Sequence, residues 1–311
     1  GEIESYNEVS FKLKFKLNEL DILVIDEMSM VSLELIELVL SLISIECKLI
    51  LVGDPNQLPP INSCSIWNYI FEYLEENPIL NNTLSLKKIF RNNGDIIILS
   101  KSITYKNNSL FLKEVERINS NSNSNVSIYK SESKVLPALL ISEINNHLDK
   151  LRKHVKHLSS KEYIFENSID NLLIHEKEST NKILKVLNEK LILCQRNNGN
   201  WSVNNINEII IGKNKPPYDL MSLKEGTPIM CTKNNNSLGI NNGDIGVLIG
   251  LGSKRKYLFR KFNENNEPIV TLINPSDIEN IIPAIAITIH KSQGSESQKV
   301  IILWENKSKF K

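Results

Sequence analysis

Two short apolar runs, separated by a segment of helical spacing, stand out early in the sequence. They occupy residues 22–25 and 48–52, and both are continuous rather than alternating, as in strands of a sheet that is covered on both faces. The intervening apolar residues recur with a helical period, and Ser32 is placed to cap that helix. Strand, helix and strand within roughly 30 residues have the size of a βαβ unit with parallel strands. The pattern predicts an α/β fold.

Polar residues follow both predicted strands directly. Asp26 and Glu27 follow the first, and the segment 53–60 follows the second. The carboxyl ends of parallel strands are where open α/β sheets place ligands. If that ligand is a metal nucleotide, Asp26 suits Mg²⁺, Glu27 suits activation of a water molecule, and Gln57 suits a hydrogen bond to a phosphate or to that water. An acidic strand end and a proline-rich turn remain the alternative interpretations.

Three more segments carry charged or polar groups in a suggestive order. Arg91 follows an apolar run and could stabilise charge on a transferred phosphoryl group, although by itself it fits an ordinary surface arginine better. Residues 290–296 form the densest polar run, at a predicted strand end, with Gly294 giving backbone freedom and hydroxyl, amide and lysine groups suited to phosphate. The basic run 254–261 is interleaved with aromatics, as in sites for single-stranded nucleic acid. Solvated turns are the alternative for both runs.

Composition sets wider bounds. A chain of 311 residues with 41% hydrophobic residues is expected to form about two globular domains. The net charge of +1 does not by itself indicate a nucleic-acid partner. We expect no membrane span and no secretory leader, because no apolar run is long enough. The four cysteines lack C-x-x-C spacing, which argues against zinc or a disulfide framework and favours a cytoplasmic location.

Further along, the pattern changes from helical to β-rich. Residues 93–190 are mostly polar and helical in character, with a low-complexity Asn/Ser loop at 121–125. Turn signals then separate short apolar runs. The predicted strands are 190–194, 284–289 and 300–303. Four further short strands are predicted to form a small β-barrel at about 228–282.

In their order along the chain, these segments resemble the motifs of the RecD branch of superfamily 1 DNA helicases. Residues 23–31 resemble the second motif, or Walker B box, and residues 51–59 resemble the third. Phe90-Arg91 is similar to the arginine motif that opens the second motor domain. The later blocks that follow the RecD pattern are 191–194 with 204–207, 226–246, and 286–296, the last nearly letter for letter.

The resemblance spans about residues 20–305 and implies two RecA-like motor domains with ATP between them. Residues 1–84 would be the C-terminal half of the first domain, and 85–311 the second, with the small barrel inserted in it. The family implies ATP and Mg²⁺ as cofactors and 5′-3′ movement along single-stranded DNA. Its type member is the alpha subunit of the RecBCD enzyme, exodeoxyribonuclease V, which works on duplex ends with RecB and RecC in double-strand-break repair and recombination.

The same resemblance implies roles for individual residues. Asp26 would hold Mg²⁺, Glu27 would activate water, Gln57 would respond to the nucleotide state, and Arg91 would contact the γ-phosphate. The remaining implied contacts are with nucleotide at Gly53, Asp54, Gly294 and Glu296, and with DNA at Thr288, His290, Ser292 and Gln293.

The sequence departs from the family pattern in two places. These 311 residues contain no G-x-x-x-x-G-K-[ST] phosphate loop, and the final motif with its second arginine is missing. With Gly1 in place of Met, we expect a partial chain of a longer ATP-hydrolysing helicase, inactive by itself. The alternatives are a free-standing RecD-like or relaxase-type helicase, and a non-catalytic DNA-binding subunit that has lost its phosphate loop.

Overall fold

The fold was analysed in a computed structural model, which forms two compact units, residues 1–130 and 131–311. No helix in the described part of the chain is both long enough and apolar enough to cross a membrane. The predicted motor-domain boundary at 84–85 remains a prediction. The structure describes residues 20–59, 66–77, 82–86, 94–104, 107–131, 135–161, 163–166, 176–212, 218–262 and 268–305.

The first unit begins with the predicted βαβ element. Strand β1 pairs in parallel with β2, with Ile25 opposite Leu51. The cap on α1 forms as predicted, since the Ser32 hydroxyl accepts a hydrogen bond from the Leu35 amide at 3.3 Å. The elements are β1 (Ile22–Ile25), a 3₁₀ turn (Met28–Met30), α1 (Leu33–Leu42), β2 (Lys48–Leu51), α2 (Ile66–Glu76), α3 (Asp95–Thr104) and α4 (Asn108–Ser120).

The two faces of the β1–β2 pair differ in burial. Residues from α1 and α2 pack on one face, where Ile36 and Trp67 join Met28 in a small core next to Ile25 and Leu51. The side chains on the other face point towards solvent, and Ile22 and Val24 there are 52% and 57% exposed. The expectation of a sheet covered on both faces is therefore wrong for the described residues, because both helices pack on the same side.

Helices α3 and α4 form an antiparallel hairpin closed by one buried acid. Asp95 pairs with Arg117 of α4 and accepts a hydrogen bond from the Ser124 hydroxyl at 2.6 Å. The Asp95 amide donates to the Asn125 side chain at 3.1 Å. The Asn/Ser run is a loop as predicted, and two of its residues fasten the end of the hairpin.

The second unit contains a parallel and an antiparallel sheet. Strands β10, β3 and β9 are parallel in that order, and five strands form an antiparallel sheet in the order β7-β6-β5-β4-β8. Strand pairing shows a sheet at 228–283, and its closure into a barrel stays a prediction. The elements are α5 (Ala138–Ser159), α6 (Tyr163–Glu166), α7 (Lys177–Leu187), β3 (Lys190–Cys194), α8 (Val203–Ile211), β4 (Pro228–Cys231), β5 (Ile245–Ile249), β6 (Lys256–Phe262), β7 (Pro268–Ile273), β8 (Ile281–Pro283), β9 (Ile287–Thr288) and β10 (Lys299–Leu303).

One predicted strand is divided between the two sheets. Residues 284–289 were expected to form a single strand, but only Ile287–Thr288 does. The Ala284 amide still bonds the Pro228 carbonyl, at 2.8 Å, and so extends the pairing of β8 with β4. The chain then bends to bring Ile287 opposite Leu193 of β3. Continuous apolar character cannot reveal this change of sheet, because both halves are buried.

The antiparallel sheet is buried on both faces. On one face Val247 and Leu258 pack against α5 and α7. On the other face Leu248, Tyr257 and Phe259 form a separate core. The α/β fold with parallel strands is confirmed. The continuous apolar runs of β4 and β5 follow from two helices covering one side of the antiparallel sheet and loops covering the other.

Candidate functional site

The carboxyl edge of the β1–β2 pair brings two of the predicted polar segments together. The Val52 amide donates to the Ile25 carbonyl at 2.8 Å, and the Met28 amide donates to the Val52 carbonyl at 3.0 Å. These two hydrogen bonds lie on either side of Asp26 and Glu27, which are therefore held beside the start of the Gly53 segment. The adjacency predicted from parallel strands is present.

Asp26 and Glu27 lie on a sharp turn. Glu27 has φ 53° and ψ 43°, a left-handed conformation that costs a non-glycine residue about 1–2 kcal/mol. Its amide donates to the Asp26 carboxylate at 2.7 Å, and its carbonyl accepts from the Met30 amide at 2.9 Å. Both acidic residues are exposed. The turn thus presents two carboxylates to solvent at the edge where open α/β sheets place their ligands.

The segment that follows β2 folds into a compact turn. Asp54 accepts hydrogen bonds from the Asn56 amide at its carboxylate, 2.9 Å, and from the Gln57 amide at its carbonyl, 3.1 Å. A Cβ atom at Gly53 would lie 3.0 Å from both the amide nitrogen and the Cβ of Met28. A side chain at Gly53 would therefore have to displace Met28 by a few tenths of an ångström. This gives Gly53 a packing role in addition to the nucleotide contact predicted for it.

Two buried polar atoms beside this edge lack hydrogen-bond partners in the described part of the chain. They are the Ser29 hydroxyl and the indole Nε1 of Trp67, whose residues are 1% and 9% exposed. A buried donor without an acceptor costs about 1–3 kcal/mol. Neither was predicted from the sequence, in which the available signal was a tryptophan on the amphipathic helix α2.

The second predicted polar segment lies at the carboxyl end of β9. Thr288 pairs with Cys194 of β3, and a 3₁₀ turn over Ile289–Ser292 follows. The Ser292 hydroxyl donates to the Ile289 carbonyl at 2.7 Å, so it stabilises the turn. Gly294 has φ +77° and open space around it, which fits the backbone freedom predicted for it.

Exposure differs along this segment. Thr288, His290, Ser292 and Gln293 are half-buried, whereas Gly294 and Glu296 are exposed. Burial lowers the pKa of the neighbouring Lys291 ammonium. Burial also raises the pKa of Cys194 to about 12, which keeps that thiol protonated at neutral pH. A row of half-exposed polar side chains is suited to contacting an extended ligand along the sheet edge.

A further polar group at this second edge was not anticipated. Gln195 follows β3 directly, and its Oε1 atom is buried without a partner among the described residues. Tyr218 donates to the Asn204 side chain of α8 at 2.9 Å. The carboxyl end of β3 therefore carries a buried amide oxygen that the predicted 288–296 segment does not include.

The basic run 254–261 is not the stacking surface that its aromatics suggested. Tyr257 and Phe259 are 2% and 0% exposed, within the core. Arg255 is also buried and donates to the carbonyls of Leu220 and Leu223. Alternation along β6 directs its aromatics inward, and a base cannot stack on a ring that is covered by protein.

The remaining site predictions concern Arg91 and the metal. Arg91 lies outside the described residues. No group of three or more potential metal-ligating side chains occurs within the described ranges. A single exposed carboxylate such as Asp26 is compatible with Mg²⁺, which commonly takes one or two protein carboxylates together with phosphates and waters.

Comparison with known proteins gives a consistent family. An AAA domain model matches residues 4–63. The RecBCD enzyme subunit RecD of Buchnera aphidicola subsp. Schizaphis graminum is 30% identical over 325 residues, 98% of this chain and 53% of that protein. Its counterpart from the Acyrthosiphon pisum subspecies is 31% identical over 326 residues, 98% of this chain and 52% of that protein. The chain spans about half the length of the curated relatives it matches.

Solved structures of Pif1 helicases are also similar. A Pif1 structure with two coordinating helicases at forked DNA has 19% identity and a TM-score of 0.48, covering 94% of this chain and 64% of that one. Bacteroides Pif1 with ADP-AlF3 and single-stranded DNA has 20% identity and a TM-score of 0.47, covering 94% and 66%. Identity to two RecD subunits along nearly the whole chain agrees with the order of the motifs, and the chain is similar to the RecD-type superfamily 1 helicases.

Proposed function

We propose that the protein carrying this chain is an ATP-dependent DNA helicase that moves 5′ to 3′ along single-stranded DNA. The observation that supports this most directly is the β1–β2 edge, where Asp26 and Glu27 lie beside the Gly53–Gln57 turn. A parallel pair whose carboxyl ends present two exposed carboxylates is suited to binding a metal nucleotide.

Asp26 and Glu27 would divide the chemistry between them. Asp26 would hold Mg²⁺, which when bound neutralises charge on the phosphates. Glu27 would accept the proton of the attacking water at its carboxylate. Gln57, exposed on the neighbouring turn, would orient that water or respond to the nucleotide, with Gly53 and Asp54 forming the wall of the site. Arg91 is proposed to stabilise the transferred γ-phosphoryl group.

The second polar edge is proposed to act on DNA and to couple it to the nucleotide. Thr288, His290, Ser292 and Gln293 would contact the sugar-phosphate backbone, while Gly294 and Glu296 would approach the nucleotide. The proposed substrates are single-stranded DNA and duplex ends. RecB and RecC are the proposed partners and the cytoplasm the proposed location, with a role in double-strand-break repair and recombination.

The decisive experiment is Glu27→Gln in the full-length protein. The amide cannot accept the proton but keeps the shape of the side chain, so DNA-stimulated ATP hydrolysis should fall at least about 100-fold while binding of Mg²⁺-ATP remains. A matched control is Glu37→Gln, which changes an exposed glutamate on α1 of the same unit. Near-normal hydrolysis by the Glu27→Gln protein would rule out the proposed role.

The scaffold alternative predicts a different result. A DNA-binding subunit without catalysis would bind single-stranded DNA and show no hydrolysis even in its wild-type, full-length form. Co-purification with RecB and RecC separates the RecBCD role from a free-standing or relaxase-type helicase.

A further inference from the structure

Trp67 lies where the two polar segments of the first unit meet. It is in the first turn of α2, which packs on the Met28–Met30 turn. Its side chain joins Met28 and Ile36 in the core cluster beneath the edge. The indole Nε1 would lie 3.2 Å from a Cβ atom on Gly53. The indole thus packs in the same core as Met28, the residue after Glu27, and its N–H lies close to Gly53, the first residue of the Gly53–Gln57 turn.

The indole N–H has no acceptor among the described residues although Trp67 is only 9% exposed. Buried tryptophan usually finds a partner for this group. Packing alone does not explain a tryptophan here, because an apolar ring of similar shape would fill the space without leaving a donor unpaired. The N–H lies close to Gly53, in the turn predicted to respond to nucleotide.

We propose that Trp67 is a positioning residue of the nucleotide site, whose indole N–H bonds the Gly53–Gln57 segment when nucleotide is bound. The indole then links the turn after β2 to the Met28 turn that carries Glu27. This inference rests on the proposed ATPase function. It assigns to α2 a role in holding the segments that follow β1 and β2 in place relative to each other during the reaction.

Trp67→Phe in the full-length protein tests the inference, because it keeps an aromatic ring and removes the donor. Without nucleotide, the melting temperature should change little, since the loss of a donor that has no acceptor offsets the smaller volume of the phenyl ring. With Mg²⁺-ATP, kcat/KM should fall about five-fold, and the rise in melting temperature on adding the nucleotide should shrink. Trp304→Phe, at an exposed tryptophan in the other unit, is the matched control and should change neither.

A purely structural Trp67 predicts the opposite combination. Trp67→Phe would then lower the melting temperature in both conditions and leave the nucleotide-induced rise intact, which would overturn the inference. If the wild-type protein hydrolyses ATP and the variant equals it in both readouts, the inference fails and the proposed function stands. If the wild-type protein neither binds nor hydrolyses ATP, both fail.

Hydrogen exchange on the wild-type protein provides a test that needs no variant. Peptides covering residues 52–59 and 66–77 should become protected together when a non-hydrolysable Mg²⁺-ATP analogue binds. Protection of the first peptide without the second would contradict a bond between Trp67 and the turn.

Discussion

Single residues control how closely the two strand ends approach at the proposed nucleotide edge. Gly53 lies against Met28 so tightly that a methyl group at that position would meet the Met28 backbone nitrogen at 3.0 Å. Glu27 adopts a left-handed conformation on the other side of this contact. Both features lower the stability of the folded state locally. Strain of this kind persists where the surrounding packing enforces it.

Gly53→Ala is therefore expected to push Met28 away and to displace the turn that carries Glu27. Overpacking of a close contact costs about 1–3 kcal/mol of unfolding free energy, and ATP turnover should fall with it. Urea unfolding and steady-state hydrolysis of the full-length protein measure the two effects. Gly212→Ala serves as control, because Gly212 has φ +86° but no atom within 4 Å, so the change should cost stability without lowering turnover. Equal turnover in both variants would contradict the packing role of Gly53.

The α3–α4 hairpin is an element whose stability depends on one acid. Arg117 and the Ser124 hydroxyl hold the pKa of Asp95 below its ordinary value, against the opposing effect of desolvation. The same pairing raises the pKa of Arg117. A carboxyl whose pKa is lowered by folding stabilises the folded state above its unfolded pKa, and the contribution is lost as the pH falls through the lowered value.

We expect the hairpin to lose stability as the pH falls below the ordinary aspartate value, and Asp95→Asn to remove most of that part of the acid dependence. The variant should already be less stable at neutral pH, because the amide cannot pair with Arg117 as a charge. Thermal unfolding by circular dichroism, from about pH 7 to about pH 3, measures both. Glu178→Gln alters an exposed pair with Lys182 on α7 and should have a much smaller effect. Parallel pH profiles for wild type and Asp95→Asn would contradict the role of the acid.

At the scale of the whole molecule, the described apolar core is concentrated in the second unit. Four of the five hydrophobic clusters in the described ranges lie in residues 131–311, and two of them bury the two faces of the antiparallel sheet. The remaining cluster, in the first unit, contains Met28, Ile36 and Trp67 as its fully buried members. The apolar side chains on the exposed face of β1 and β2 remain in contact with solvent and do not add to the core.

This distribution predicts that residues 131–311 fold alone and that residues 1–130 are much less stable when expressed separately. The larger fragment should unfold in one cooperative transition, as expected for a domain with a continuous core. Thermal unfolding followed by circular dichroism compares the two fragments directly. A broad, non-cooperative transition for 131–311, or a sharper one for 1–130, would contradict the prediction.

Much of the architecture could be predicted from local patterns. The parallel strands β1 and β2, the Ser32 cap and strand β3 form where the sequence indicates, because apolar periodicity and capping are properties of a few consecutive residues. The edge that carries Asp26, Glu27 and Gly53 could also be predicted, since polar residues directly after parallel strands must lie at the same edge of the sheet.

Three features were decided only by the tertiary structure. Each depends on partners distant in the sequence: the split of residues 284–289 between two sheets, the burial of Tyr257 and Phe259 and the position of the Trp67 indole close to Gly53. A buried strand shows the same apolar run whichever sheet it joins, and an aromatic residue shows the same letter whether it is exposed to a ligand or enclosed in a core. The sequence by itself determined which segments form strands and which polar groups follow them, and the packing of distant segments determined which side chains remain accessible for chemistry.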